Sequence, residues 1–211
     1  MAAVDGGPNR QASRVLRRAP LLAAAMVALL AGLWAGLLRL GLDLPQLRPS
    51  LAAEHGPLLV LGFLGTQIGL ERAVALGHHR SWSWPYLAPA AAAAGALWLL
   101  TGLPMRAGQL MLALAGLALV AIFIAVQRLE PAWHNFVMGL GALAWLAGAV
   151  VWLTGDGIPS AVPFLAAFLV LTIVGERLEL SRMRQPPAAV RATLLGAIGL
   201  YCLGVVLTLP W

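Results

Sequence analysis

The chain has 211 residues, 61% of them hydrophobic and only 10% charged, and its net charge of +6 comes from fourteen arginines, without a lysine, against eight acids. A soluble domain carries about 25% charged residues, so a fold of this length could not cover its surface with so few, and the bilayer must be its solvent. Nucleic acid is not an expected partner, because the arginines sit between apolar runs rather than on one basic patch, and a single cysteine, Cys202, excludes an intrachain disulfide or cysteine metal cluster.

Seven apolar runs follow in order, at about residues 20–40, 56–76, 85–102, 107–126, 132–154, 159–180 and 192–211. Roughly 20 residues of helix cross about 30 Å of hydrocarbon, and each run is near that length. The runs are rich in Ala and Leu without two-residue alternation, which argues against a β-barrel. The expected fold is an all-α integral membrane protein of seven transmembrane helices, with a basic tail over residues 1–18 and one membrane domain over 19–211. The first run is too long for the apolar core of a secretory signal, about 7–15 residues, and reads as a retained span.

Arginine bias sets the orientation. With the N-terminus in the cytoplasm, the inner segments collect Arg10, Arg14, Arg17, Arg18, Arg72, Arg80, Arg128, Arg177, Arg182, Arg184 and Arg191, whereas the outer ones keep Arg39, Arg48 and Arg106. Seven spans then put the C-terminus outside. Trp34, Trp98, Trp152 and Trp211 fall towards the outer boundary and Trp82, Trp84 and Trp133 towards the inner one, leaving Trp145 mid-span. The expected location is a bacterial-type inner membrane, and the expected partners are the lipid bilayer and, as one option, further copies of the chain.

The pattern Phe-Leu-x-x-x-Ile-x-x-Glu-Arg occurs in run two (Phe63, Leu64, Ile68, Glu71, Arg72) and again in run six (Phe168, Leu169, Ile173, Glu176, Arg177), 105 residues later. An ionised side chain within a span costs about 2.5–3.5 kcal/mol. Two such placements at matching positions point to a duplication, in which spans one to three correspond to five to seven and span four links them. This 3+1+3 repeat would be parallel, as in transporters that bind substrate between their halves. Coincidence between two apolar helices that each end in charge is the alternative. Adjacent Glu and Arg point about 100° apart on a helix, so each is expected to find its partner elsewhere, Glu71 with Arg177 and Arg72 with Glu176. Gln67 and Thr172, one turn earlier, extend a polar ridge from each acid. A clamp, a proton or ion relay, and simple snorkelling to headgroups all remain open.

Histidine supplies the other candidates. His55 opens run two at the outer side, and His134 with Asn135 opens run five at the inner side. About 24 Å of helix separates His55 from Glu71, so His55 cannot join the inner charges. Gly62, Gly65 and Gly69 follow His55 and either let helices approach or leave room for a flat cofactor. No catalytic triad, phosphate loop or paired-histidine metal motif is present.

The stretch His55-Gly-Pro-Leu-Leu-Val-Leu-Gly-Phe63-Leu-Gly-Thr-Gln-Ile68 resembles a haem-ligating helix of the NnrS family and of haem-copper oxidase-type subunits, and Trp133-His134 with Met138-Gly139 is a fainter echo. The paired His-x-His of that pattern is absent, and Glu54 stands directly before His55. The resemblance implies haem iron on His55; a sixth ligand, if any, would have to come from a soft residue such as Met105 on the facing outer loop, from water, or from a second subunit. Two functions from different classes follow: a haem-binding redox protein, or a small-solute or proton-coupled transporter without cofactor that works through the inner Glu-Arg cluster. A membrane scaffold or assembly factor is the third.

Overall fold

The structure, a computed structural model, describes residues 8–46, 48–80, 82–180 and 187–208. Every regular element among them is helical. Helix α1 is Pro8–Arg39. Helix α2 (55–80) begins with one turn at His55–Pro57, widens into a π segment at Leu58–Leu64 and continues as Gly65–Arg80. A 3₁₀ turn at Trp84–Tyr86 leads into α3, Leu87–Leu100. The remaining helices are α4 (Met105–Leu129), α5 (Trp133–Thr154), α6 (Gly157–Leu180) and α7 (Ala188–Thr208).

Among the described residues, five stretches are long and apolar enough to cross a membrane: Arg18–Arg39, His55–Gly77, Met105–Leu129, Trp133–Thr154 and Gly157–Leu180. The seven runs of the sequence are therefore not equal. Trp84–Leu100 and the described apolar part of the last helix, Ala192–Tyr201, are shorter. Trp84–Leu100 rises only about 26 Å, because Pro85 opens it as a 3₁₀ turn and Gly102, at φ +77°, ends the helical path beyond it. Helical backbone begins at Pro8 and passes through Pro20 into the first span, since Ala and Leu on both sides propagate a helix past one missing N–H. Arg182, Arg184 and Trp211 lie outside the described residues.

Short connections make α3, α4, α5 and α6 antiparallel neighbours. Gly155, at φ +107°, ends α5 in the left-handed conformation that glycine adopts without strain. Trp145 of α5 anchors the core. Its indole Nε1 donates to the Leu112 carbonyl at 3.0 Å, and its ring lies 5.0 Å from that of Phe168. Glycines cut the slot it fills: a Cβ on Gly65 would collide with the far edge of the indole, and one on Gly116 would come within 2.9 Å of its near edge. One side chain thus ties α2, α4, α5 and α6 together. Tyr201 of α7 donates its hydroxyl to the Pro163 carbonyl of α6 at 2.5 Å.

Candidate functional site: two charged clusters on one helix

Charge gathers at both ends of α2. Near its C-terminal end Arg72 is buried, with 10% of its side chain exposed. It reaches two carboxylates, Glu179 of α6 at 3.2 Å and its own neighbour Glu71 at 3.5 Å. The crossed pairs expected from the repeat do not form. Arg72 meets Glu179 rather than Glu176, because Glu179 lies one turn further along the same face of α6. Arg177, about 100° around from Glu176, is exposed and does not pair with Glu71. Adjacency does not prevent the Glu71–Arg72 contact either, since the long guanidinium arm folds back over its own turn. Glu176 is half-buried, one turn before Glu179 on α6. Arg72 and Glu179 both lie near the C-terminal ends of their helices, so α2 and α6 run the same way.

The polar ridges behave differently on the two helices. Gln67 is half-buried and Glu71 largely exposed, with 65% of its side chain accessible. Thr172 is buried against Gly141 of α5. His134 and Asn135 are buried at this same end. Asn135 Nδ2 donates to the Glu130 carbonyl at 2.9 Å, and the His134 carbonyl lies against Gly175, the residue before Glu176.

The other end holds a pair absent from the sequence reading. Glu54, in the turn before α2, is fully buried and bound by Arg48. Burial pushes its carboxyl above the ordinary glutamate range, and the Arg48 guanidinium and the Ser50 hydroxyl pull it only partly back. His55, half-buried, donates from Nδ1 to the Ala52 carbonyl at 3.0 Å. Met105 does not stand apart as a free thioether: Gln109 Nε2 lies 3.6 Å from its sulfur and also donates to the Trp152 carbonyl at 3.1 Å. Among the described residues, no group of three or more His, Cys, Asp or Glu could hold a metal ion.

The glycine face below His55 is closely packed. A Cβ on Gly62 would come within 2.7 Å of Ala96 and 3.1 Å of Ala28, one on Gly65 would strike Trp145, and one on Gly69 would meet Pro89 at 3.2–3.5 Å. These glycines seat neighbouring helices and the Trp145 indole. Four buried side-chain polar atoms without a hydrogen-bond partner, Arg48 Nε, Glu54 Oε1, Thr66 Oγ1 and Arg72 Nε, lie on α2 or in the loop leading into it.

The helices and their charged interior define a helical protein with several apolar, membrane-span-like elements. The chain belongs to the family described as Domain of unknown function (DUF8744), which matches residues 18–211 and so takes in every apolar helix and both clusters. No curated protein and no solved structure matches it.

Proposed function

We propose that this protein is a seven-span, bacterial-type inner-membrane transporter, N-terminus inside and C-terminus outside. Its 3+1+3 parallel halves would meet at the Glu71, Arg72, Glu176 and Glu179 cluster and move a proton or small cationic solute. One observation carries the reading: two carboxylates from two helices, Glu71 and Glu179, share one buried guanidinium, with the half-buried Glu176 one turn before Glu179. Such charge within a span is expensive and marks ion and substrate paths. The surplus of negative charge is what a proton or a cation neutralises, and the partial exposure of Glu71 and Glu179 gives that species access. In proteoliposomes with a trapped pH dye and an inside-negative potassium diffusion potential, the wild type should acidify the lumen faster than empty vesicles. Glu176→Gln should fall to the empty-vesicle rate. Equal rates for wild type and empty vesicles would end the proton-coupled reading. Reporter fusions at residue 211 should behave as periplasmic, and those in the 77–83 segment as cytoplasmic; the reverse pattern would invert the topology.

A haem-binding redox role is the second reading, and one feature favours it. The Nδ1 bond of His55 to a backbone carbonyl leaves Nε2 as the ligating nitrogen, the arrangement seen in most metal-binding histidines. The packed glycine face weighs against it. Protein from haem-replete cells should show no Soret band; a band lost in His55→Ala would restore haem to first place.

A further inference from the structure

At the end of the bundle that holds Arg72, an apolar groove of about 360 Å³ runs between α4 and α5, floored by Val120, Ile124 and Leu143. Its mouth carries Arg128, which is exposed, and Gln127. A second hollow of about 380 Å³ shares Gln127 and Phe136 with it and reaches Trp133 in the turn between the helices. Gln127 Oε1 accepts the Ala132 N–H at 3.4 Å, and Asn135 Nδ2 is committed to the Glu130 carbonyl. The Gln127 amide nitrogen is therefore left to donate beside Arg128. Trp133 is 60% exposed and packs edge-on against Phe136 with ring centroids 5.9 Å apart, an amphipathic ring of the kind that sits at headgroup level. Gly139 lines the groove, and a Cβ there would meet only Phe123, at 3.6 Å. The opening comes from a missing side chain and is not closed by a neighbouring helix.

An uninterrupted apolar trough below one guanidinium and one amide donor complements a single kind of molecule. We infer that the α4–α5 groove is a binding site for an anionic phospholipid, its acyl chain along Val120, Ile124 and Leu143 and its phosphate at Arg128 and Gln127. Acidic lipids are the anions enriched at the cytoplasmic surface, the side to which arginine bias assigns this end. Glu130 lies two residues beyond Arg128, so the headgroup must approach from the groove rather than from the turn. The inference rests on the membrane reading and not on transport.

Protein in nanodiscs of equal phosphatidylglycerol and phosphatidylcholine, each labelled in turn with a diazirine acyl chain, provides the test. Cross-links should concentrate at Ile124 and Leu143, with the glycerol headgroup preferred roughly fivefold, the effect of one basic residue near an anionic surface. Arg128→Gln should bring that ratio to parity, and Gly139→Leu should remove cross-links at both positions. Equal labelling by the two lipids in the wild type, or cross-links scattered over the exposed faces of α1 and α7, would overturn the site. If Gly139→Leu fails to fold, Arg128→Gln still decides, because it alters only an exposed side chain. Absent proton flux with localised cross-links would sink the transport reading alone; the converse result would sink this one.

Discussion

Each end of α2 has an arginine facing glutamate, half-buried Arg48 at one and buried Arg72 at the other, yet they are built for different tasks. At the His55 end one acid meets one base, and the Glu54 side chain is fully withdrawn, with 0% exposed against 16% for Arg48. At the other end one base meets two acids, and Glu71 keeps 65% and Glu179 37% of its side chain accessible. A balanced, sealed pair has nothing to exchange and fixes the turn into the helix. An unbalanced, open one can change its proton or ligand occupancy without unfolding its surroundings. Balance and access, rather than the presence of charge in a span, separate a clamp from a working site.

The largest test of that contrast removes each arginine. Arg48→Ala strands a fully buried carboxylate and should lower unfolding free energy by about 3–5 kcal/mol. Arg72→Ala leaves acids that reach solvent and should lower it by only about 1–2 kcal/mol, while abolishing flux. Denaturant unfolding of the two variants in detergent decides the order, and the reverse order would reassign the clamp to the Arg72 end.

Both ends hang on the same packed middle. Gly65→Ala drives a methyl into Trp145 and should cost about 1–3 kcal/mol. Gly56→Ala, next to His55, meets nothing within 4 Å and should be neutral or gain up to about 1 kcal/mol. Thermal midpoints of both variants give the comparison. A Gly65→Ala protein as stable as wild type would reopen the slot beside α2 and, with it, space for a planar cofactor.

Within the unbalanced end, the partners themselves can be checked by double-mutant cycles. Arg72→Ala with Glu179→Ala should couple by about 1 kcal/mol, whereas Glu71→Ala with Arg177→Ala should add within about 0.5 kcal/mol. Coupling of the second pair would revive the crossed arrangement that the repeat suggests.

Composition and run length were enough for an all-helical fold with several membrane-length helices, because hydrophobicity over 20 residues is a local property. The repeat marked Glu71, Arg72 and Glu176 as site residues for the same reason: charge in an apolar run is visible one residue at a time. Partner choice was not legible. Whether Arg72 meets Glu176 or Glu179 depends on the rotation and offset of α6 against α2, although the three-residue spacing of those acids did place both on one face. The glycines after His55 were equally ambiguous, since a gap in one helix reads the same whether a cofactor or Trp145 fills it. Glu54 was read only as the residue before His55. Its burial comes with that of Leu51, which packs the turn before α2 into the core, and no local pattern encodes that packing.

The smallest effect is the dependence of stability on pH at Glu54, and its sign discriminates between two accounts of the sealed pair. Burial is the larger influence on this carboxyl and raises its affinity for a proton; Arg48 and Ser50 oppose it only in part. The folded chain therefore keeps the Glu54 proton at pH values where the unfolded chain has released it. Stability contributed by this group must then decline as pH rises through the interval between the two pKa values and be recovered as pH falls through it. Arg48 stays charged throughout. The wild type should thus gain stability relative to Glu54→Gln as pH is lowered from neutrality towards the ordinary glutamate range, measured as the difference between the two unfolding curves at each pH. The difference isolates Glu54, because every other titrating group is common to both proteins. A wild type that instead loses stability relative to Glu54→Gln on acidification would mean that Arg48 outweighs burial. Glu54 would then be a carboxylate held ionised by its partner, and the clamp would draw its strength from the ion pair itself.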